Sequence, residues 1–294
     1  MDVHGKNYPF AGLQFSQFSQ NPFVVGNFEA AIPVVHTQTE NFNMSFSVAA
    51  ANIPAMTTAG FTHLSLANNH SLDFGAAAFV NTGEVLGINK LSSFGHPTML
   101  TSDSVEILSL AGIDVALIGL HTLFNSPTAQ EIEQVLQYAQ ESSDYQVVYV
   151  HWGEEYKTSS NASEQFLAQQ LVEAGADLII GHHPHVVQEV GYIQGVPVFY
   201  SLGNYIFDQY FSSGVQTGLL LQLDFATYPK IQLIPVQSHS TLSQPAMLTE
   251  DAHAAFLDTL SSNSHLDLRE YIKQGIIPLR KQVATSSEIA IMMK

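Results

Sequence analysis

The chain has 294 residues, 46% of them hydrophobic and 12% charged, which is an ordinary globular composition with enough apolar material for one substantial core. Nine Lys and Arg face 26 Asp and Glu, giving a formal net charge of −17. A nucleic-acid binder needs a basic footprint to displace counterions, so this balance argues against nucleic acid as a partner. Cysteine is absent, which removes disulfides and thiolate metal sites and restricts any metal to imidazole, carboxylate and amide ligands.

No stretch approaches the ~20 apolar residues needed to cross a bilayer, and no basic leader followed by an apolar segment opens the chain. The chain as given reads as soluble, without a membrane span, and the choice between a cytoplasmic and a cell-surface location stays open. Thirteen histidines are a surplus against the nine Lys and Arg, and imidazole is the commonest metal ligand.

In chain order, PFVVGNFE (22–29) predicts a strand, SVAAANIPAMTTAG (47–60) a helix closing on Gly60, and FTHLSL (61–66) a second strand. GAAAFVNTGEVLGI (75–88) has helical spacing, and VEILSL (105–110) and DVALIGL (114–120) flank a turn at Ala111-Gly112-Ile113 like a hairpin. Helix AQEIEQVLQYAQE (129–141), strand YQVVYVHW (145–152), helix SEQFLAQQLVEAG (163–175) and strand DLIIG (177–181) follow. Near-continuous apolar strands alternating with helices imply an α/β sheet covered on both faces. PVFYSL (197–202), GLLLQLDF (218–225) and KIQLIPV (230–236) read as added strands. The remainder turns helical and is basic, predicting a C-terminal helical appendage (241–294) on a first domain of residues 1–240.

Covered α/β sheets place function at the carboxyl ends of their strands. The polar clusters GNFE, ANNH, HWGEEY and GHHPH each follow an apolar strand, so four strands deliver Asn, Glu or His to one rim. In GHHPH, Pro184 lacks an amide donor and restricts His183, and His183 and His185 are expected to point the same way with His182 opposite. The plain alternative is three histidines capping a sheet edge. His151 ends a buried strand beside the only Trp, where it is either a satisfied core histidine or a ligand. Glu155 is a candidate catalytic or orienting group, or else begins a solvated loop. Asn69 is a candidate oxygen ligand, and His70 a candidate general acid or donor to a reacting oxygen. His63, His96 and His121 lack such neighbours and read as structural.

Asp2-x-His4, Gly26-Asn27, Asn69-His70, a strand-end His and His183-x-His185 follow one another in the order of a two-metal site. This order resembles that of the calcineurin-like metallophosphoesterases. NFEAAIP, AGFTHLSLANNHSLDFG, HWGEEY, IIGHHPHVVQ and FYSLGNYIFDQ look like the successive signatures of the bacterial capsule-synthesis CapA family of poly-γ-glutamate systems, over about residues 22–237. The resemblance implies a calcineurin-like four-layer αββα sandwich. It implies metal ligands at Asp2, His4, Glu29, Asn69, His151, His183 and His185, and catalytic roles around His70, Asn69 and Glu155. Asn27, Asn204 and Asp208 are expected to bind substrate.

Three features depart from the pattern. Asn27 stands where the phosphoesterases have a bridging Asp, and Glu29 is expected to substitute. Ser71 follows Asn69-His70 where an acid is usual, with Asp73 the nearest carboxylate. No apolar strand precedes Asp2, and the membrane anchor of many relatives is missing. The resemblance implies a metal-dependent phosphoester hydrolase of capsule synthesis, holding one or two Mn, Fe or Zn ions. A non-hydrolytic accessory protein that holds a polymer precursor or a capsule-synthase component in the same pocket is the alternative.

Overall fold

Strands that are apolar on both faces are stable only when each sheet is covered twice, and the chain meets this condition with four layers. The computed structural model describes residues 8–12, 15, 18, 22–37, 44–110, 112–225, 228–238, 243–279 and 290–294. Asp2 and His4 lie outside the described residues. In chain order the elements are β1 (Phe23–Asn27), α1 (Ile53–Ala59), β2 (His63–Ser65), α2 (Gly75–Ile88), β3 (Ser92–Phe94), β4 (Val105–Leu110) and β5 (Ile113–His121). Then come α3 (Ala129–Ser142), β6 (Tyr145–His151), α4 (Ala162–Glu173), β7 (Leu178–His182), β8 (Val190–Ile193), β9 (Val196–Phe199), β10 (Thr217–Asp224) and β11 (Lys230–Ser238). The chain ends with β12 (Pro245–Met247), α5 (Glu250–Asn263), α6 (Arg269–Lys273), β13 (Ile276–Pro278) and β14 (Ala290–Met293).

One sheet has the order β12-β11-β10-β14-β1-β2-β3, with β13 also on β11, and the other the order β4-β5-β6-β7-β9-β8. Val25, Phe94, Leu221 and Met293 of the first meet Val115, Val147, Tyr149 and Ile180 of the second in a shared inner core. Ile53, Ala55 and Leu86 of α1 and α2 pack on the outer face of the first sheet. Ile132, Leu136, Ala168 and Leu171 of α3 and α4 cover the second. This is the expected αββα sandwich.

Helix boundaries follow local chemistry. Gly60 ends α1 at φ +103, a conformation that glycine adopts without a Cβ penalty. Reciprocal capping boxes start α3 (Thr128 with Glu131) and α4 (Asn161 with Glu164).

The helical appendage expected at 241–294 is corrected. That segment supplies three strands, and β14 lies in the middle of the first sheet, parallel to β1 and antiparallel to β10. Leu257, Leu260, Leu268 and Ile272 of its helical part join the inner core. The residues after 240 therefore complete the same core rather than append to it. An apolar run as short as Ala290–Met293 does not declare strand or helix by periodicity.

Parallel strands β1, β2 and β3 of one sheet and β5, β6 and β7 of the other end at one rim. The sheets close on each other there because Gly95 follows β3 at φ +78 and a Cβ on Gly119 of β5 would lie 2.5 Å from its Cα. No side chain larger than hydrogen fits between them.

Because Ile291 is fully buried between the sheets, Ile291→Ala should cost roughly 2–5 kcal/mol, seen as a lower midpoint of a single cooperative melt. A separate minor transition with the main one unmoved would restore the appendage view.

Candidate metal centre

Two residues past β1, the side chain of Glu29 turns into the rim. Its Oε2 accepts a hydrogen bond from Asn27 Nδ2 at 3.0 Å, and Asn27 Oδ1 accepts one from Asn68 Nδ2 at 3.1 Å. Glu29 Oε1 is buried with no hydrogen-bond partner. Around it stand His70 Nε2 at 3.9 Å, His151 Nε2 at 3.9 Å and His185 Nε2 at 3.8 Å. Four chain segments thus aim bare polar atoms at one point.

The outer nitrogens of two of these rings are tied down. His185 Nδ1 meets Asn204 Oδ1 at 2.9 Å, and Asn204 Nδ2 donates to Gln209 Oε1 and Val215 O, which identifies its oxygen as the acceptor. His185 therefore carries its proton on Nδ1 and presents a lone pair at Nε2. His70 Nδ1 lies 2.7 Å from Asp73 Oδ2, which also accepts from the Phe46 amide. Asp73 does from three residues away what an adjacent acid would do.

The loop after β7 reaches the site through backbone strain rather than the expected extended alternation. His183 has φ +99 and His185 φ +59, left-handed conformations that cost non-glycine residues roughly 1–3 kcal/mol each. Their ring centroids are 5.9 Å apart. His182 stacks instead on Tyr149 at 5.1 Å. Tyr156 braces the loop by donating its amide to Pro184 O at 2.8 Å.

Ligand atoms of Glu29, His151 and His183 lie within 4.8 Å of one another, as do those of Glu155, His183 and His185, so His183 belongs to two adjacent groups. Asn69 Oδ1, both ring nitrogens of His151 and Nδ1 of His183 are buried without hydrogen-bond partners. Buried polar atoms are normally satisfied, and the unpartnered atoms of Glu29, His151 and His183, which lie together, fit a divalent cation. Burial lowers the pKa of His151 well below the ordinary imidazole value, with neighbouring His183 and His121 adding to the effect, and holds His183 at about 3. The rings are neutral at pH 7, the form that binds metal.

A cleft of about 420 Å³ opens on this cluster, lined by Glu29, His183, His185, Phe46, Phe207 and Asp208 among others. Phe46 stacks on His70 at 3.9 Å and Phe207 tilts against His185 at 4.7 Å. Asp208 is exposed at the cleft. Asn27 and Asn204 also line the cleft, and each is hydrogen-bonded to a residue of the cluster, Asn27 to Glu29 and Asn204 to His185. His63 stays apart, 3.8 Å from Glu106.

Sequence reasoning missed His121, whose ring centroid lies 5.8 Å from that of His151. The signal was its place at the end of β5, in register with His151 at the end of β6. It also missed Lys294, whose buried Nζ donates to Leu202 O at 2.6 Å and Gly203 O at 2.9 Å, just before Asn204. Nothing local in the sequence pointed to that residue.

The four-layer αββα fold has a counterpart among solved structures. A solved structure described as a novel phosphatase of Mycoplasma pneumoniae is similar to it, with a TM-score of 0.51 and 10% identity, covering 99% of this chain and 89% of that one. Residues 2–209 match the family model described as "Bacterial capsule synthesis protein PGA_cap", and the chain belongs to that family. It is 32% identical over 230 residues to the "Capsule biosynthesis protein CapA" of Bacillus anthracis, covering 70% of this chain and 55% of the relative. It is 29% identical over 212 residues to the "PGA biosynthesis protein CapA" of Bacillus subtilis (strain 168), covering 65% and 55%. The chain thus spans about half the length of these relatives.

Burial raises the Glu29 pKa to about 8, Glu155 and Asp73 add to the rise, and the Asn27 hydrogen bond opposes it. A carboxyl protonated in the fold and ionised in the unfolded chain contributes stability at low pH that is lost as pH rises. Chelator-treated protein should therefore lose stability between about pH 4.5 and pH 8 relative to a Glu29→Gln variant. Denaturation across that range checks this, and parallel pH curves for the two proteins would contradict it.

Proposed function

We propose that the chain is a divalent-cation-dependent hydrolase of phosphoester bonds acting in capsule or exopolymer synthesis of the poly-γ-glutamate type. The observation that carries this reading is the unpartnered Glu29 Oε1 with three imidazole Nε2 atoms 3.8–3.9 Å away. Glu29, Asn69, His151, His183 and His185 would hold the cation, with Glu155 beside His183 and His185 completing a second group. Manganese, iron or zinc, one or two per chain, suits these nitrogen and oxygen donors. Asp2 and His4 are proposed as further ligands. Pro9 and Phe10 line the same cleft, and the five residue steps between His4 and Pro9 can span up to about 18 Å.

A divalent cation bound there supplies Lewis acidity toward a phosphoryl oxygen and acidifies water. The chain's own groups do the rest. Asp73 fixes the His70 ring so that Nε2 is the position open for proton exchange with a departing oxygen. Asn27 and Asn204 keep Glu29 and His185 aimed at the centre, while Phe46 and Phe207 cover two of the imidazoles and exclude water. A phosphoester or polymer precursor is the proposed substrate, and capsule-synthase components are the proposed partners. The names of the Bacillus relatives support the capsule setting. Among the described residues no helix is long and apolar enough to cross a membrane.

The accessory reading, in which the same cleft holds a precursor or a partner without hydrolysis, is favoured by the neutral Asn27 beside Glu29. Turnover of bis(p-nitrophenyl) phosphate by manganese-loaded protein separates the two. Hydrolysis is expected, with His70→Ala lowering kcat by roughly 10²–10⁴-fold. Bound manganese without turnover would support the accessory role instead.

A further inference from the structure

His121 is 5% exposed, and its Nδ1 lies 2.7 Å from the carbonyl oxygen of Pro97. A carbonyl only accepts, so Nδ1 carries the proton and Nε2 of the neutral ring is a lone pair. That Nε2 is buried with no hydrogen-bond partner. The Gly95–Gly119 contact sets this arrangement, because it brings the loop after β3 against β5 two residues before His121.

His151 presents the complementary half. Its Nε2 faces Glu29, which leaves Nδ1 as the outer nitrogen, also buried and without a partner. A ligand imidazole needs an acceptor at its outer nitrogen to fix its tautomer and raise its basicity. His185 has Asn204 and His70 has Asp73, whereas the rings in contact with His151 are His183, itself a candidate ligand, and His121, laterally paired with it across β5 and β6.

We propose that His121 is the positioning residue for His151: on cation binding, His151 Nδ1–H donates to His121 Nε2. The resulting chain runs from the Pro97 carbonyl through two imidazoles to the cation centre. It rests on the cation-binding part of the proposed function and is independent of hydrolysis.

The test titrates Mn(II) and Zn(II) into wild-type protein and into His121→Phe and His121→Gln variants, with ¹⁵N NMR of the zinc-loaded forms. His121→Phe, which keeps the bulk and removes the acceptor, should weaken binding by about 10–100-fold. His121→Gln, whose amide oxygen can stand near the Nε2 position, should recover most of that loss. The wild-type spectrum should show His151 protonated at Nδ1. Unchanged affinity in His121→Phe would overturn this inference alone, as would loss of one equivalent at saturation, which would make His121 a ligand. If His121→Phe does not fold, the wild-type spectrum still decides, since His151 protonated at Nε2 overturns the pairing. Wild-type protein that binds neither ion would overturn the cation reading together with this inference.

Discussion

A carboxylate oxygen buried without a hydrogen-bond donor is the constraint on which the rest of this molecule depends. Taking an ionised carboxylate out of water costs several kcal/mol unless a charge or donor meets it, yet Glu29 Oε1 has no hydrogen-bond partner, and three imidazole Nε2 atoms stand 3.8–3.9 Å from it. Burial, with Glu155 and Asp73 adding to it and the Asn27 hydrogen bond opposing, raises the pKa of this carboxyl to about 8 in metal-free protein. The same geometry becomes favourable once a cation stands between them. Asn27 steadies the other oxygen, and Asn204 and Asp73 hold two of the rings in the tautomer that leaves Nε2 free.

The fold exists in a form that can deliver these groups. Two sheets end at a common rim because their inner faces share one apolar core, and the β3 and β5 ends approach to a distance that only glycine permits. β14 lies between β1 and β10 and extends its pairing one step beyond the strand, since Lys294 O accepts the Asn27 amide at 3.0 Å. Its side-chain amine then binds the carbonyls before Asn204. The centre of the first sheet and the orientation of His185 are therefore tied to one short strand. Left-handed backbone at His183 and His185 is the remaining local cost, tolerated because Pro184 and the Tyr156 brace over-determine the loop.

Much of this was legible in the sequence, and for physical reasons. Apolar runs with polar ends report buried parallel strands whose carboxyl ends form a rim, which is why Glu29, His70, His151, His183 and His185 could be grouped before any geometry was known. Helices α2 and α3 declared themselves through length and helical spacing. Three-residue strands such as β3 and β13 carry no period, and β14 has only four residues, so the C-terminal segment looked like an appendage. His121 escaped because a lone strand-end histidine resembles a core residue until its lateral neighbour is known. Asp73 was visible as the nearest acid, but its role needed the turn that brings it back to His70. The expected alternation of His183 and His185 failed because two left-handed residues, rather than an extended segment, aim their rings.

The central claim is that one cation centre is assembled at Glu29 by imidazoles from separate strand ends. Anomalous scattering at the manganese edge, from crystals grown with Mn(II) and no chelator, tests it most directly. A peak is expected within about 2.0–2.3 Å of Glu29 Oε1 and of the nitrogens of His151 and at least one of His183 and His185. Full occupancy of manganese elsewhere, with Glu29 protonated and its neighbours undisplaced, would contradict it.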